Sequence, residues 1–171
     1  MRTRVVVTGM GVVAPNGHGL NNYEMALREG RSGIRFIPEL QELNFGCQVG
    51  GVPQDFDALC RQYMTEEQML SINDNIGYAS VAALDAWTDA GFRVPDAVTD
   101  VVDWDTGAIV GSGIGGLKVI QDQTLIWKEK GPSRLGPLLI PMLIVNMAPG
   151  QISISCGIKG PNSCVATGCA S

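Results

Sequence analysis

The sequence predicts an α/β fold with a mostly parallel sheet. Three observations lead there: short runs of β-branched residues alternate with amphipathic helical stretches, 22 glycines punctuate the connections, and no internal repeat or low-complexity linker divides the 171 residues. Strands alternating with helices pack as layers, because each helix buries its apolar stripe on a sheet face. With 45% hydrophobic and 17% charged residues, the composition is that of a folded domain large enough to hold a core.

Residues 4–8, RVVVT, are predicted as a buried strand: consecutive β-branched residues without polar alternation, ended by GMG. The stretch NNYEMALREG places Tyr23, Ala26 and Leu27 on one helical face and puts Gly30 after the last turn, the pattern of a short helix with a glycine stop. GCQVGGV (46–52) is a weak strand. A long helix is predicted from Thr65, where TEEQ forms a capping box, to Gly91; Ile76, Ala79, Ala83, Leu84 and Trp87 make its apolar stripe. TGAIVGSGIGG is a strand entering a glycine turn, followed by an amphipathic helix from Leu117 to Lys130. The apolar run 135–158 contains Pro141 and Pro149, which should break it into buried helical pieces. SCVAT is a last short strand before GCAS.

Charge and cysteine content exclude several classes. Seventeen acidic against 12 basic residues give a net charge of −5, which disfavours nucleic acid because phosphate contacts need clustered Lys and Arg. No apolar run reaches the roughly 18 residues of a membrane span, and MRTRVVVTGMG lacks the features of a signal peptide, so no membrane association and a cytoplasmic location are expected. The five cysteines form no C-x-x-C pair and His18, the single histidine, is expected in a surface loop; reduced thiols and no metal site follow.

Two motifs could carry chemistry. GSGIGG (111–116) satisfies the dinucleotide pattern after a strand and before a helix, but a Rossmann unit needs an acidic residue about 20 residues on, at the end of a second strand. That region reads TLIWKEKGPSR, with Glu129 at the end of a helix, so glycines permitting a sharp turn and close packing fit better. Cys169, in VATGCAS, follows a strand of small residues. A cysteine at such a strand-to-helix elbow gains a lowered thiol pKa, from about 8.5, and N–H groups able to stabilise an oxyanion. The same residue is also compatible with inert packing.

RVVVTGMGVVAPNG, GSGIGGL, IVNMAPGQISISCGIKGPN and VATGCAS, in this order and near this spacing, closely resemble the amino-terminal part of a β-ketoacyl-[acyl-carrier-protein] synthase. The resemblance implies a thiolase-like fold, layered α-β-α-β-α, with residues 1–171 forming most of the first half. It implies that Cys169 accepts an acyl group from acyl carrier protein, and that a malonyl thioester then condenses with it after losing carbon dioxide. Ile114 resembles the residue gating the acyl pocket. Leu139, in PLLIP, resembles a residue that crosses the interface of a homodimer to cap the neighbour's acyl tunnel. No cofactor is implied, since the substrates ride on the carrier's phosphopantetheine arm.

Three departures accompany the resemblance. The H-G-T and G-H histidines of the family, and its glycine-rich loop with a phenylalanine gate, are absent from these 171 residues, so the chain is expected to be part of a longer protein; a non-catalytic partner supplying dimer surface is the competing expectation. TEEQMLSIND carries Glu66 and Glu67 where many bacterial members present Lys and Arg to the carrier, so either Arg61, Lys128, Lys130 or Arg134 is the docking cation or the carrier itself differs. Gly168 stands where fatty acid enzymes often carry alanine, a feature resembling polyketide ketosynthases.

Overall fold

The computed structural model describes residues 3–95 and 103–171. A hairpin opens the fold: β1 (Val13–Ala14) pairs antiparallel with β2 (Gly17–His18) and leads into α1 (Leu20–Arg28). Gly30, at φ 65°, takes the left-handed conformation that ends this helix. Next, β3 (Ile34–Phe36) and β4 (Val49–Gly51) form a second antiparallel pair flanking α2 (Pro38–Glu42). α3 (Phe56–Tyr63) then packs toward the central helix.

The predicted long helix is two helices. Thr65 and Gln68 do form the reciprocal capping box, but it heads only the single turn α4 (Glu66–Met69). The chain breaks there, and Asn73 caps α5 (Asp74–Asp89) by accepting from the Ile76 N–H at 2.8 Å. A second N-cap inside the run overrides the first, because the Asn73 side chain competes for the amide a continuous helix would use.

The parallel pair follows. β5 (Ala108–Gly111) runs parallel to β6 (Asn162–Val165), in register Ala108 to Asn162 through Gly111 to Val165. Between them lie α6 (Leu117–Lys130), α7 (Leu139–Leu143) and α8 (Met147–Cys156). Pro141 and Pro149 each occupy the third position of a helix, where no intrahelical N–H is lost. The run 135–158 is helical in pieces as predicted but only partly buried: Ile140, Ile144 and Ile154 are exposed.

The core forms around α5. Cys60, Met64, Ile72, Ile76, Val81 and Ala148 make one buried cluster, and Leu84, Ala108, Ile152, Cys156 and Ile158 the other. α5 thus lies between α3, α8 and β5, and each large side chain removed from water there contributes about 1.5–3 kcal/mol.

One predicted element is not realised. Residues 4–8 form no strand, and Val5 is 90% exposed where a buried strand was expected. The GMG that follows is seated instead: a Cβ on Gly9 would come within 2.2 Å of the Ala86 carbonyl, and one on Gly11 within 2.0 Å of the Ala82 carbonyl. Only glycine lets this backbone lie on α5, and the Met10 N–H donates to Asp89 at 2.9 Å. The β-branched run lacks a hydrogen-bonding neighbour among the described residues. Among the described residues the parallel pairing is that of β5 with β6, extended by a single parallel bridge between Asp103 and Ile158; in place of a mostly parallel sheet there are three separate two-stranded pairings.

Candidate active site

Cys169 lies in the middle of a single 3-10 turn, Gly168–Ala170, directly after β6, and is exposed. Gly168, at φ 62°, bends the chain out of the strand in the left-handed region that glycine enters freely. The Ala170 and Ser171 N–H groups close the turn on the Thr167 and Gly168 carbonyls, at 3.3 and 3.2 Å, and the Ser171 hydroxyl accepts from the Thr167 N–H at 2.8 Å. The Cys169 N–H takes part in none of these bonds.

The glycine motif backs that turn. A Cβ on Gly111 would stand 2.8 Å from the Ser171 carbonyl carbon, so the glycine at the end of β5 makes room for the elbow. One residue on, the Ser112 N–H donates to the Val165 carbonyl at 3.0 Å, tying the loop to β6. Ile114, at the loop's tip, is 66% exposed. Gly115, at φ 83°, and Gly116 then press against the segment after α7: a Cβ on Gly116 would come within 2.2 Å of the Met142 carbonyl, and the Gly116 N–H donates to Leu143. An amide a phosphate would need is thus already bonded. Turn and packing account for Gly111, Gly115 and Gly116, as the sequence favoured, while Gly113 has open space around it. The same contacts join the Ile114 loop to α7, which carries the half-buried Leu139.

A family model described as the β-ketoacyl synthase N-terminal domain matches residues 2–171. The chain belongs to the β-ketoacyl synthase family. It is 40% identical over 169 residues to 3-oxoacyl-[acyl-carrier-protein] synthase 2 of Synechocystis sp., covering 99% of this chain and 39% of that protein. The protein of the same name from Vibrio harveyi is 37% identical, over 98% of this chain and 39% of its own length. The chain thus spans about two fifths of the length of the curated relatives it matches. Among solved structures it superposes on the ishigamide ketosynthase/chain length factor with a TM-score of 0.75 at 25% identity, covering 98% of this chain and 40% of that one. A type II PKS acyl-carrier protein in complex with its ketosynthase shares the fold, with a TM-score of 0.65 at 21% identity, over 94% of this chain and 42% of that one. The fold is the thiolase-like α/β arrangement of ketosynthases, matched over their amino-terminal part.

His18 is not the surface loop residue expected. It ends β2, half-buried, with Nε2 2.9 Å from the Asp85 carboxylate of α5 and 3.2 Å from the Tyr63 hydroxyl. Tyr63 donates to the other Asp85 oxygen at 2.7 Å. Burial first, and then the bond to Asp85, hold the Tyr63 phenol well above its usual range. This cluster fastens the first hairpin to α3 and α5. Its members lie 45, 67 and 22 positions apart, and no spacing rule connects them.

Proposed function

We propose that the chain is the nucleophile-bearing part of an enzyme that condenses an acyl thioester with malonyl-acyl carrier protein, in fatty acid or polyketide biosynthesis. The observation that carries this reading is the exposed Cys169 at a left-handed glycine turn, backed by Gly111, in a chain matched by the family over residues 2–171. Residues 1–171 then make up most of the first half of the ketosynthase.

The Cys169 sulfur attacks the acyl carbonyl as a thiolate. A new thioester forms on Cys169 while the carrier's phosphopantetheine thiol leaves with the proton. Malonyl-carrier then loses carbon dioxide, and the electron pair of the broken bond attacks the acyl-Cys169 carbonyl. A carbon–carbon bond forms, the Cys169 thiolate departs, and the product is two carbons longer. The Cys169 N–H, uncommitted within its own turn, is one donor to the oxyanion. Ile114 gates the acyl pocket and Leu139 caps that of the neighbour in a homodimer; the exposure of Leu138, Ile140 and Ile144 around Leu139 supports the latter.

The acidic carrier docks through exposed cations. Arg61 is engaged by Glu66 in an ion pair, which removes it from the candidates. Lys128, Lys130 and Arg134 are exposed and form no ion pair among the described residues, so the end of α6 is the steering patch. No helix among the described residues is long and apolar enough to cross a membrane.

The test is acyl loading of the full-length protein, read by intact-protein mass spectrometry. Cys169→Ala is expected to abolish the acyl adduct, and an adduct retained by that variant overturns the reading.

A further inference from the structure

The groove between α6 and α7, about 140 Å³, is apolar along Ile120, Trp127, Leu135, Leu139 and Leu143. Two polar residues line it, Gln123 and Thr124. The Thr124 hydroxyl is committed, donating to the Ile120 carbonyl at 2.7 Å. The Gln123 Oε1 is buried and no donor reaches it. An amide oxygen held among hydrocarbon without a donor is an unfavourable arrangement that most folded proteins avoid. Gln123 also lies three positions after Ile120, on the same side of α6.

We propose that Gln123 is a specificity-determining residue whose Oε1 accepts a hydrogen bond from a hydroxyl near the far end of the acyl chain. This rests on the reading of Leu139 as the cap of an acyl tunnel, since Gln123 and Leu139 share one groove. The groove's apolar walls take the hydrocarbon, and the single uncommitted acceptor selects for a donor at the tip. A binding site that leaves its own buried acceptor unpaired discriminates against the ligand lacking the donor.

The experiment uses the full-length protein and three carrier thioesters: octanoyl, ω-hydroxyoctanoyl and ω-methoxyoctanoyl. The rate of acyl-Cys169 formation is followed by mass spectrometry. The hydroxylated chain is expected to load about tenfold faster than octanoyl, the worth of one such hydrogen bond. The methoxy chain, which accepts but cannot donate, should gain no such advantage. In Gln123→Leu the preference for the hydroxyl should vanish, the hydroxylated and plain chains loading at the same rate. Equal loading of the hydroxylated and plain chains by the wild type, or a hydroxyl preference that survives in Gln123→Leu, overturns the proposal alone. Failure of all three thioesters to label Cys169 overturns both the proposal and the condensing-enzyme reading beneath it. The methoxy comparison needs no variant and decides the matter even if Gln123→Leu misfolds.

Discussion

Cys60 and Cys156 sit in the two core clusters, 1% and 4% exposed. Burial pushes both thiols up to about 11, and the Asp57 and Asp74 carboxylates add to this at Cys60. Cys47 and Cys169 are exposed. At pH 8, iodoacetamide should therefore modify Cys47 and Cys169 and spare Cys60 and Cys156 until the protein unfolds; early labelling of either core thiol would contradict the packing. The sign of the pH effect follows from the same shift. Above pH 9 an unfolded chain sheds these thiol protons while the folded one keeps them, so stability is full below about 9 and declines as pH rises toward about 11. Denaturant midpoints of the full-length protein measured from pH 8 to 11 should fall steadily over the upper part of that range. Residues of this kind differ in how far the sequence exposes them. The turn that holds Cys169 after β6 was legible because a glycine and small residues surround the cysteine there. His18 was not, because its partners Tyr63 and Asp85 are brought to it by tertiary packing of α3 and α5.

Elements were legible where their signals are local. The helix Leu117–Lys130 ends where its glycines and charges indicate, and Gly30 stops α1 as expected. The division of 65–91 into α4 and α5 was missed because two caps compete within one apolar run, and the outcome depends on what Asn73 meets. Its amide reaches across to the Met142 carbonyl at the C-terminal end of α7, a contact invisible in the local pattern. Gly116 stands at the same junction, so it offers a test of how α6 and α7 are held together. Gly116→Ala places a methyl 2.2 Å from the Met142 carbonyl and 2.8 Å from the Asn73 amide, too near for either to stay in place. A loss of about 1–3 kcal/mol is expected from such overpacking, visible as a lower urea midpoint. Because α7 carries Leu139, acyl loading should slow in the same variant, whereas Gly136→Ala, with open space around its Cβ, should leave both unchanged.

At the scale of the whole molecule, the apolar surface is disposed for cover. Val5 and Val7 are 90% and 82% exposed in a run with strong strand propensity, and Ile109, on β5, is 74% exposed. Among the described residues β5 pairs only with β6, which leaves an edge. A strand is a relation between two segments: composition marked residues 4–8 as strand material, but no neighbour for them exists among the described residues, so that part of the fold was legible as propensity and not as pairing. The curated relatives run to about two and a half times this length, since the chain covers 39% of them. Contiguous apolar patches of this sort drive association when left open. The 171 residues expressed alone should therefore bind the dye ANS, elute at sizes that grow with concentration, and melt without a cooperative transition. The same residues within a protein of the relatives' length should bind little dye and melt cooperatively. A monodisperse, cooperatively melting monomer of the 171 residues alone would show that the exposed faces satisfy themselves, and would require a different account of residues 4–8 and Ile109.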